Sequence, residues 1–323
     1  MVISSNPIGE STAQFAVDVR AGLLKAGQKE LPSKYLYDEL GSSLFEAITL
    51  LPEYGVTRAD ERLLQRHARD IVRRIPDHTM VSELGSGSGR KTRWILNALG
   101  ERGAFRYQYY PIEISHAALA QCETALSDIE GVSILGVERE YLDGLSDVAA
   151  LRPAGMHLFV LFLGSTIGNF DEGADVRFLS DVRSRLTAGD SLLLGTDLTK
   201  PREVMIEAYD DPQGVTAAFN LNLLGRINRE LDAHFDLRQF EHVALFNEST
   251  SSIEMHLRSR RAQQVRVSGE LVNFEAGETI WTETSRKYTL KAIEQLAQAS
   301  GFRIDKQWID REWPFANTLL VAV

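Results

Sequence analysis

Apolar positions recur along this chain with two different periods, and the changes between them divide it into regions. From Thr12 to Ala26, Phe15, Val17, Val19 and Leu23 fall at helical spacing and predict an amphipathic helix; residues up to about Gly9 are expected to be loose. Leu31 to Tyr54 is crowded with aromatic residues (Tyr35, Tyr37, Phe45, Tyr54). Thr57 to Ile75 predicts a helix with Thr57 as N-cap and Asp60 and Glu61 in its first turn. Beyond it the rhythm changes. Short apolar runs at Thr79–Leu84, Tyr107–Ile114, Val132–Val137, His157–Gly164 and Ser191–Gly195 read as strands. Helical patterns at Lys91–Leu99, Ala117–Leu126 and Ala174–Leu186 fall between them. The run at 157–164 is almost wholly apolar, as in a strand covered on both faces.

Strands alternating with helices imply an α/β fold with a doubly wound parallel sheet. Lys200 to Arg286 interrupts the alternation. A helix is expected at Val215–Leu231, then antiparallel strands at His242–Phe246, Ser252–Arg258 and Gln264–Val267. Leu290–Ala299 resumes as a helix, and Phe302–Ile309 with Asn317–Val323 form a strand pair that closes the sheet's far edge. Two domains follow: 59–199 with 286–323 as the α/β domain, and 12–58 with 200–285 as a mixed α+β substrate domain, built from the N-terminal segment and an insertion.

Composition narrows the function classes. Of 323 residues, 44% are hydrophobic and 25% charged, an ordinary globular balance, and the formal net charge is -10. The densest basic cluster is Arg258, Arg260 and Arg261, which argues against nucleic-acid binding. One cysteine, Cys122, excludes an intramolecular disulfide and a cysteine metal cluster, and no metal-ligand spacing is found among the seven histidines. The segment Met1–Ala13 has no signal-peptide pattern, and the longest apolar stretch is too short for a bilayer. A cytoplasmic protein, monomeric and without membrane or nucleic-acid partners, is expected.

The first strand runs into a glycine-rich turn: Val81 to Thr92 reads V-S-E-L-G-S-G-S-G-R-K-T. Glycines let the backbone turn sharply and let a ligand approach the main chain, and the following helix N-terminus offers N–H groups. A dinucleotide loop would read G-x-G-x-x-G, with an acid about 20 residues on. Here the spacing is G-x-G-x-G, an acid (Glu83) precedes it, and the next strand ends in Glu113, further away. This E-x-G-x-G-x-G form resembles motif I of class I methyltransferases. The resemblance implies a seven-stranded sheet, S-adenosylmethionine as cofactor, Gly85, Gly87 and Lys91 around it, Glu113 on the ribose diol, and Glu140 and Tyr141 at the adenine. A nicotinamide oxidoreductase is disfavoured by the spacing.

Further segments narrow the resemblance. They are Y-L-Y-D-E-L-G-S-S-L-F at 35–45, L-P-E-Y at 51–54, L-F-L-G-S-T-I-G-N-F at 161–170, A-Y-D-D-P-Q-G-V-T-A-A-F-N at 208–220, S-I-E-M-H-L at 252–257 and W-T-E-T-S-R-K at 281–287. Together they resemble the bacterial histidine Nα-methyltransferases of ergothioneine biosynthesis, from about Val17 to the C-terminus. The resemblance implies a histidine site lined by Tyr54, Asn169, Tyr209, Met255, Glu283, Thr284 and Ser285. Asn169 would hold the amino-acid head, Tyr209 the carboxylate, and Glu283 and Ser285 the imidazole. Met255 would lie beside the ring. Tyr37 near the amine and Gly164 complete the catalytic set with Asn169. Glu113 and Glu140 stand where the familiar form has Asp, Tyr141 where it has Phe, and Gly55 where relatives have a second Tyr.

The residue types suit that chemistry independently. A carboxylate accepts from an imidazole N–H, and a serine hydroxyl can meet the other nitrogen. Methyl transfer from a sulfonium is an in-line displacement that needs orientation more than a strong base. The reaction implied is trimethylation of the α-amine of L-histidine, through its mono- and dimethyl forms, to hercynine. Two alternatives remain at this point. One is an Nα-methyltransferase of the same fold acting on tryptophan or another aromatic amino acid, and the other is a non-catalytic ligand-binding relative.

Overall fold

The computed structural model describes residues 12–102 and 106–323; the expected loose segment up to Gly9 lies outside them. The helices are α1 (Thr12–Leu23), α2 (Glu39–Thr49), α3 (Val56–Arg73), α4 (Arg93–Gly100), α5 (His116–Leu126), α6 (Tyr141–Ala150), α7 (Ala174–Ser184), α8 (Arg202–Glu207), α9 (Val215–Leu231) and α10 (Leu290–Ala299). The first seven strands are β1 (Lys29–Glu30), β2 (Thr79–Leu84), β3 (Tyr107–Glu113), β4 (Val132–Ile134), β5 (Val137–Glu138), β6 (His157–Phe162) and β7 (Ser191–Asp197). The others are β8 (Phe240–Asn247), β9 (Ser252–Ser259), β10 (Gln263–Val267), β11 (Glu270–Phe274), β12 (Thr279–Arg286), β13 (Phe302–Asp310) and β14 (Phe315–Ala322). The described chain divides into two compact units. One comprises Val56–Leu198 and Tyr288–Val323, and the other the described residues up to Gly55 together with Thr199–Lys287.

The first unit is a single sheet in the order β13-β14-β7-β6-β2-β3-β4, with β5 paired to β3. β2, β3, β4, β6 and β7 run parallel, and β14 lies antiparallel between β7 and β13. This is the doubly wound class I methyltransferase order, with the strand reversal between β2 and β6. The expected third strand at 132–137 is two short pieces, broken at Leu135 and Gly136, so one sheet position is shared by β4 and β5. Apolar residues of β2, β3, β6 and β7 (Met80, Ile112, Val160, Leu192) join α6, α7 and α10 in one core on one face. β2, β6 and β7 are buried at nearly every position, and β6 accordingly reads as an almost wholly apolar run, while β2 and β7 also bury polar residues such as Glu83 and Asp197.

α3 differs from expectation at its start. The helix begins at Val56, so Thr57 lies inside it and is not the N-cap. Asp60 sits beyond the first turn and is fully buried, so its carboxylate serves the sheet and not the helix terminus.

In the second unit, β1, β12, β9 and β8 form a four-stranded sheet, and β10 and β11 form a separate hairpin. α9 packs across β8 and β9, and α2 packs on α9. α2 was hidden in the aromatic-rich segment. Its N-cap is Asp38, which accepts from the Gly41 amide (2.7 Å), from Asn222 Nδ2 (2.7 Å) and from Arg229 (2.6 Å). Gly41 is required because a Cβ there would lie 1.8 Å from the Leu36 carbonyl oxygen.

The glycine turn rests on buried polar groups. Gly85, Gly87 and Gly89 all have positive φ (73°, 49° and 68°), and a Cβ on Gly89 would lie 2.7 Å from Cys122 Sγ. Beneath the turn, Glu83 is buried and accepts from Thr92 Oγ1 (2.6 Å) and from the Tyr109 hydroxyl. Burial pushes the Glu83 carboxyl up to about 7, against these two donors. A carboxyl raised on folding contributes stability below its unfolded value that is lost as pH rises through the folded value. Glu83→Gln should therefore gain on the wild type between pH 5 and pH 8, on the order of 2–3 kcal/mol by the upper end. Denaturant unfolding at a series of pH values measures this; a difference independent of pH would contradict it.

Candidate functional site

The cofactor residues implied by the sequence lie in the first unit, at the C-terminal ends of the parallel strands, where open α/β sheets bind ligands. The Gly87 amide faces Glu113 Oε2 (3.4 Å), and Glu113 Oε1 accepts from the Ile114 and Ser115 amides (2.9 and 3.3 Å). Burial holds the Glu113 carboxyl above its usual range, and these backbone donors oppose the shift. Tyr141 opens α6 and packs edge-on against Phe162 and Phe178, and a Cβ on Gly85 would lie 3.0 Å from its hydroxyl. Glu140 is the exposed N-cap of α6.

These residues fit S-adenosylmethionine on their own geometry. Nothing lies within 4 Å of a Cβ built on Gly87, so the loop leaves a cradle for a ligand against the main chain. A carboxylate suited to a ribose diol borders that cradle, and an aromatic ring stands beside Gly85.

One arrangement was not foreseen. Asp60 Oδ2 accepts from Lys91 Nζ (2.7 Å) and from the Gly164 amide (2.9 Å), while Oδ1 accepts from Asn317 Nδ2 (3.0 Å). One carboxylate thus ties Lys91 just past the glycine turn, Gly164 just past β6 and Asn317 near the start of β14 to α3. Gly164 has φ of 73°, and a Cβ there would stand 3.1 Å from Lys91 Nζ. Asn169 ends the short 3₁₀ turn Thr166–Asn169 that follows.

The second unit brings together Tyr37, Tyr54, Tyr209, Met255, Glu283 and Ser285. Glu283 pairs with Met255 across β12 and β9, so the carboxylate and the thioether stand side by side. Ser285 lies two residues on, on the same face; Thr284 falls on the opposite face, so toward that site it presents backbone and not its hydroxyl. Glu283 and Ser285 are both buried. Burial pushes the Glu283 carboxyl up to about 7, against the Tyr37 hydrogen bond and the charge of Lys287. The Tyr37 hydroxyl reaches Glu283 Oε1 at 3.4 Å, which puts Tyr37 at the carboxylate in this structure. The rings of Tyr54 and Tyr209 meet edge-on at 5.9 Å, and Phe45 stands between Tyr37 and Tyr54.

Tyr209 is held at both ends. His242 Nε2 donates to its carbonyl (2.7 Å), and Asn220 Nδ2 donates to His242 Nδ1 (2.9 Å), which assigns the neutral tautomer; burial lowers the His242 pKa in the same sense. Its hydroxyl bonds Ser285 Oγ (2.7 Å) and accepts from Lys287 Nζ (2.8 Å). Asp211, two residues on, accepts from the Val215 and Thr216 amides (3.0 and 2.7 Å) at the start of α9, which accounts for the D-D-P-Q-G segment. His242 and Lys287 had no assigned role in the sequence, and Asp60 read only as a first-turn acid of its helix. Lys287 was within reach, because period two from Glu283 and Ser285 puts it on their face.

Asp60→Asn should raise the dissociation constant for S-adenosylmethionine about tenfold and lower the melting temperature. Removing one partner of a buried pair costs about 3–5 kcal/mol at full burial, and less here because Lys91 reaches solvent. Calorimetric titration and a melting curve measure both, and unchanged cofactor affinity would contradict the tether.

The chain is 41% identical to the histidine N-alpha-methyltransferase of Mycobacterium tuberculosis, covering 98% of each. It is 42% identical to the protein of the same name from Mycolicibacterium smegmatis, covering 94% of each. It is also 30% identical to ergothioneine biosynthesis protein 1 of Neurospora crassa, over 88% of this chain, which spans about a third of that longer protein (32%). The model of the SAM-dependent, histidine-specific methyltransferases matches residues 15–322. With a class I sheet, a glycine turn bordered by Glu113 and this extent of similarity, the chain belongs to the histidine-specific, S-adenosylmethionine-dependent methyltransferase family.

Proposed function

We propose that this chain transfers three methyl groups in succession to the α-amine of L-histidine, giving Nα,Nα,Nα-trimethylhistidine (hercynine), the first step towards ergothioneine. The observation that carries the substrate is the buried pair on one face of β12, the Glu283 carboxylate and the Ser285 hydroxyl, with Met255 beside it. A carboxylate accepts from one imidazole nitrogen and a hydroxyl meets the other, while a ring without those atoms makes neither bond. When bound, S-adenosylmethionine supplies an electrophilic methyl group on its sulfonium.

The protein's own contribution is binding and orientation. Glu113, the amides of the glycine turn and Lys91 hold the cofactor, with Glu140 and Tyr141 at its adenine. Tyr209 takes the substrate carboxylate, and Asn169 holds the amino-acid head so that the nitrogen lone pair faces the methyl group. Tyr54 and Gly164 are assigned to the surroundings of the amine, Tyr37 stands at the Glu283 carboxylate, and Thr284 contributes through its backbone. A monomeric cytoplasmic enzyme acting on a free amino acid belongs to the same reading.

The test is incubation of the purified chain with S-adenosylmethionine and each of a panel of amino acids, followed by mass spectrometry. Histidine should gain three methyl groups, and tryptophan should gain none at comparable enzyme. A tryptophan product formed as readily as the histidine product would favour a general aromatic amino-acid enzyme; no product from any amino acid would leave a binding relative. Glu283→Ala should raise KM for histidine about 10–100-fold, the size of a lost hydrogen bond to a charged group, with a smaller change in kcat. An unchanged KM would remove Glu283 from the ring site.

A further inference from the structure

Tyr209 stands in the connection between α8 and α9, and its main chain is held from three directions. Its amide donates to the Ile206 carbonyl of α8 (2.9 Å), Asp211 caps the start of α9 two residues on, and its carbonyl accepts from His242 Nε2 (2.7 Å). The last of these contacts comes from the sheet. His242 pairs with Leu257 and Ala244 with Met255 across β8 and β9, and Met255 pairs with Glu283 across β9 and β12. Strand alternation therefore places His242 on the face that carries Met255, Glu283 and Ser285.

Two carbonyl oxygens fix the protons of this contact. The Tyr209 carbonyl can only accept, so His242 Nε2 carries its hydrogen. The Asn220 side chain is fully buried, and its Nδ2 lies 3.2 Å from the His256 carbonyl and 2.9 Å from His242 Nδ1. A flipped amide would set Oδ1 against the His256 carbonyl oxygen, so the nitrogen is where it stands, and its two hydrogens serve that carbonyl and the bare Nδ1. Burial lowers the His242 pKa against the charges of Asp210 and Asp211, in keeping with a neutral ring. The contact is to the main chain of Tyr209 and draws on neither the proton nor the lone pairs of its hydroxyl.

We infer that His242 is a positioning residue: oriented by Asn220, it ties the residue that takes the substrate carboxylate to the sheet that carries the ring-binding pair, and so sets the separation at which the two ends of the amino acid are gripped. This rests on the assignment of Tyr209 to the carboxylate and of Glu283 and Ser285 to the ring. Without His242 the main chain of Tyr209 loses this anchor, while the groups on β12 keep their register through the ladder with β9. The loss therefore falls on ligands that carry a carboxylate. Histamine, which is histidine without its carboxylate, is indifferent to it.

The experiment is calorimetric titration of the full chain, loaded with S-adenosylhomocysteine, with histidine and with histamine, for wild type, His242→Phe, His242→Gln and Tyr209→Phe. His242→Phe fills the place of the ring without a donor; it should raise Kd for histidine about tenfold, the size of one lost hydrogen bond, and leave Kd for histamine within about twofold. His242→Gln keeps an N–H donor and should return histidine binding to within about threefold of wild type. Should histamine not bind the wild type, the histidine loss in His242→Phe and its recovery in His242→Gln decide. If His242→Phe melts below the titration temperature, the ¹⁵N resonances of histidine-labelled wild type decide: His242 should show a bare Nδ1 and a protonated Nε2 at neutral pH, and the reverse tautomer or an imidazolium would overturn the inference. Equal losses for histidine and histamine in His242→Phe, or no loss for either, alongside a Tyr209→Phe variant that loses histidine selectively, would overturn it and leave the carboxylate site standing. Wild-type histidine affinity in Tyr209→Phe would overturn the carboxylate site and this inference with it.

Discussion

A single buried carboxylate organises the cofactor end of the first unit. Asp60 carries no exposed surface, and its two oxygens collect a lysine from the glycine turn, a backbone amide from the end of β6 and a side-chain amide from β14. Those partners come from three neighbouring regions of the strand ends, and none of them is close in sequence to the others. A buried charge of this kind is tolerated only when its lone pairs are met, so the arrangement specifies a geometry as much as it stabilises one. It fixes Lys91 and Gly164 relative to the sheet. Lys91 in turn follows the glycine turn in which a Cβ on Gly87 would meet nothing within 4 Å.

The second unit uses the same economy on a smaller sheet. Strand alternation brings Glu283, Ser285 and Lys287 to one face, and cross-strand register sets Met255 beside the first of them. Tyr209 reaches this row from outside the sheet, and its backbone is pinned by the neutral imidazole of His242, itself held by Asn220. Polar groups that would each destabilise a core alone satisfy one another here. The Glu283 carboxylate and the Ser285 hydroxyl on that face are the group types that suit an imidazole ring.

What was legible in the sequence were features that local chemistry dictates. The turn at Gly85–Gly89 needs residues that tolerate positive φ. The run at β6 is apolar after His157 because both faces are covered, and the acid ending β3 stands next to the turn, facing the Gly87 amide. Less legible were features set by distant partners. Asp60 read as a helix-terminus acid, because nothing in its neighbourhood announces Lys91, Gly164 or Asn317. α2 was masked by serine, glycine and aromatic residues whose helix depends on the Asp38 cap and on α9. The third strand read as continuous because Leu135 and Gly136 do not break the apolar pattern, although they break the ladder. Thr284 was grouped with its neighbours by motif, and period two separates it from them.

The central claim is that the α-nitrogen of histidine, and not a ring nitrogen, receives the methyl groups while Glu283 and Ser285 occupy the ring. The most direct measurement is nuclear magnetic resonance of the product formed from α-¹⁵N-labelled histidine and ¹³C-methyl S-adenosylmethionine. The account predicts one methyl resonance from three equivalent groups, its carbon coupled to the labelled α-nitrogen. A methyl carbon without that coupling, bonded to an imidazole nitrogen, would contradict it.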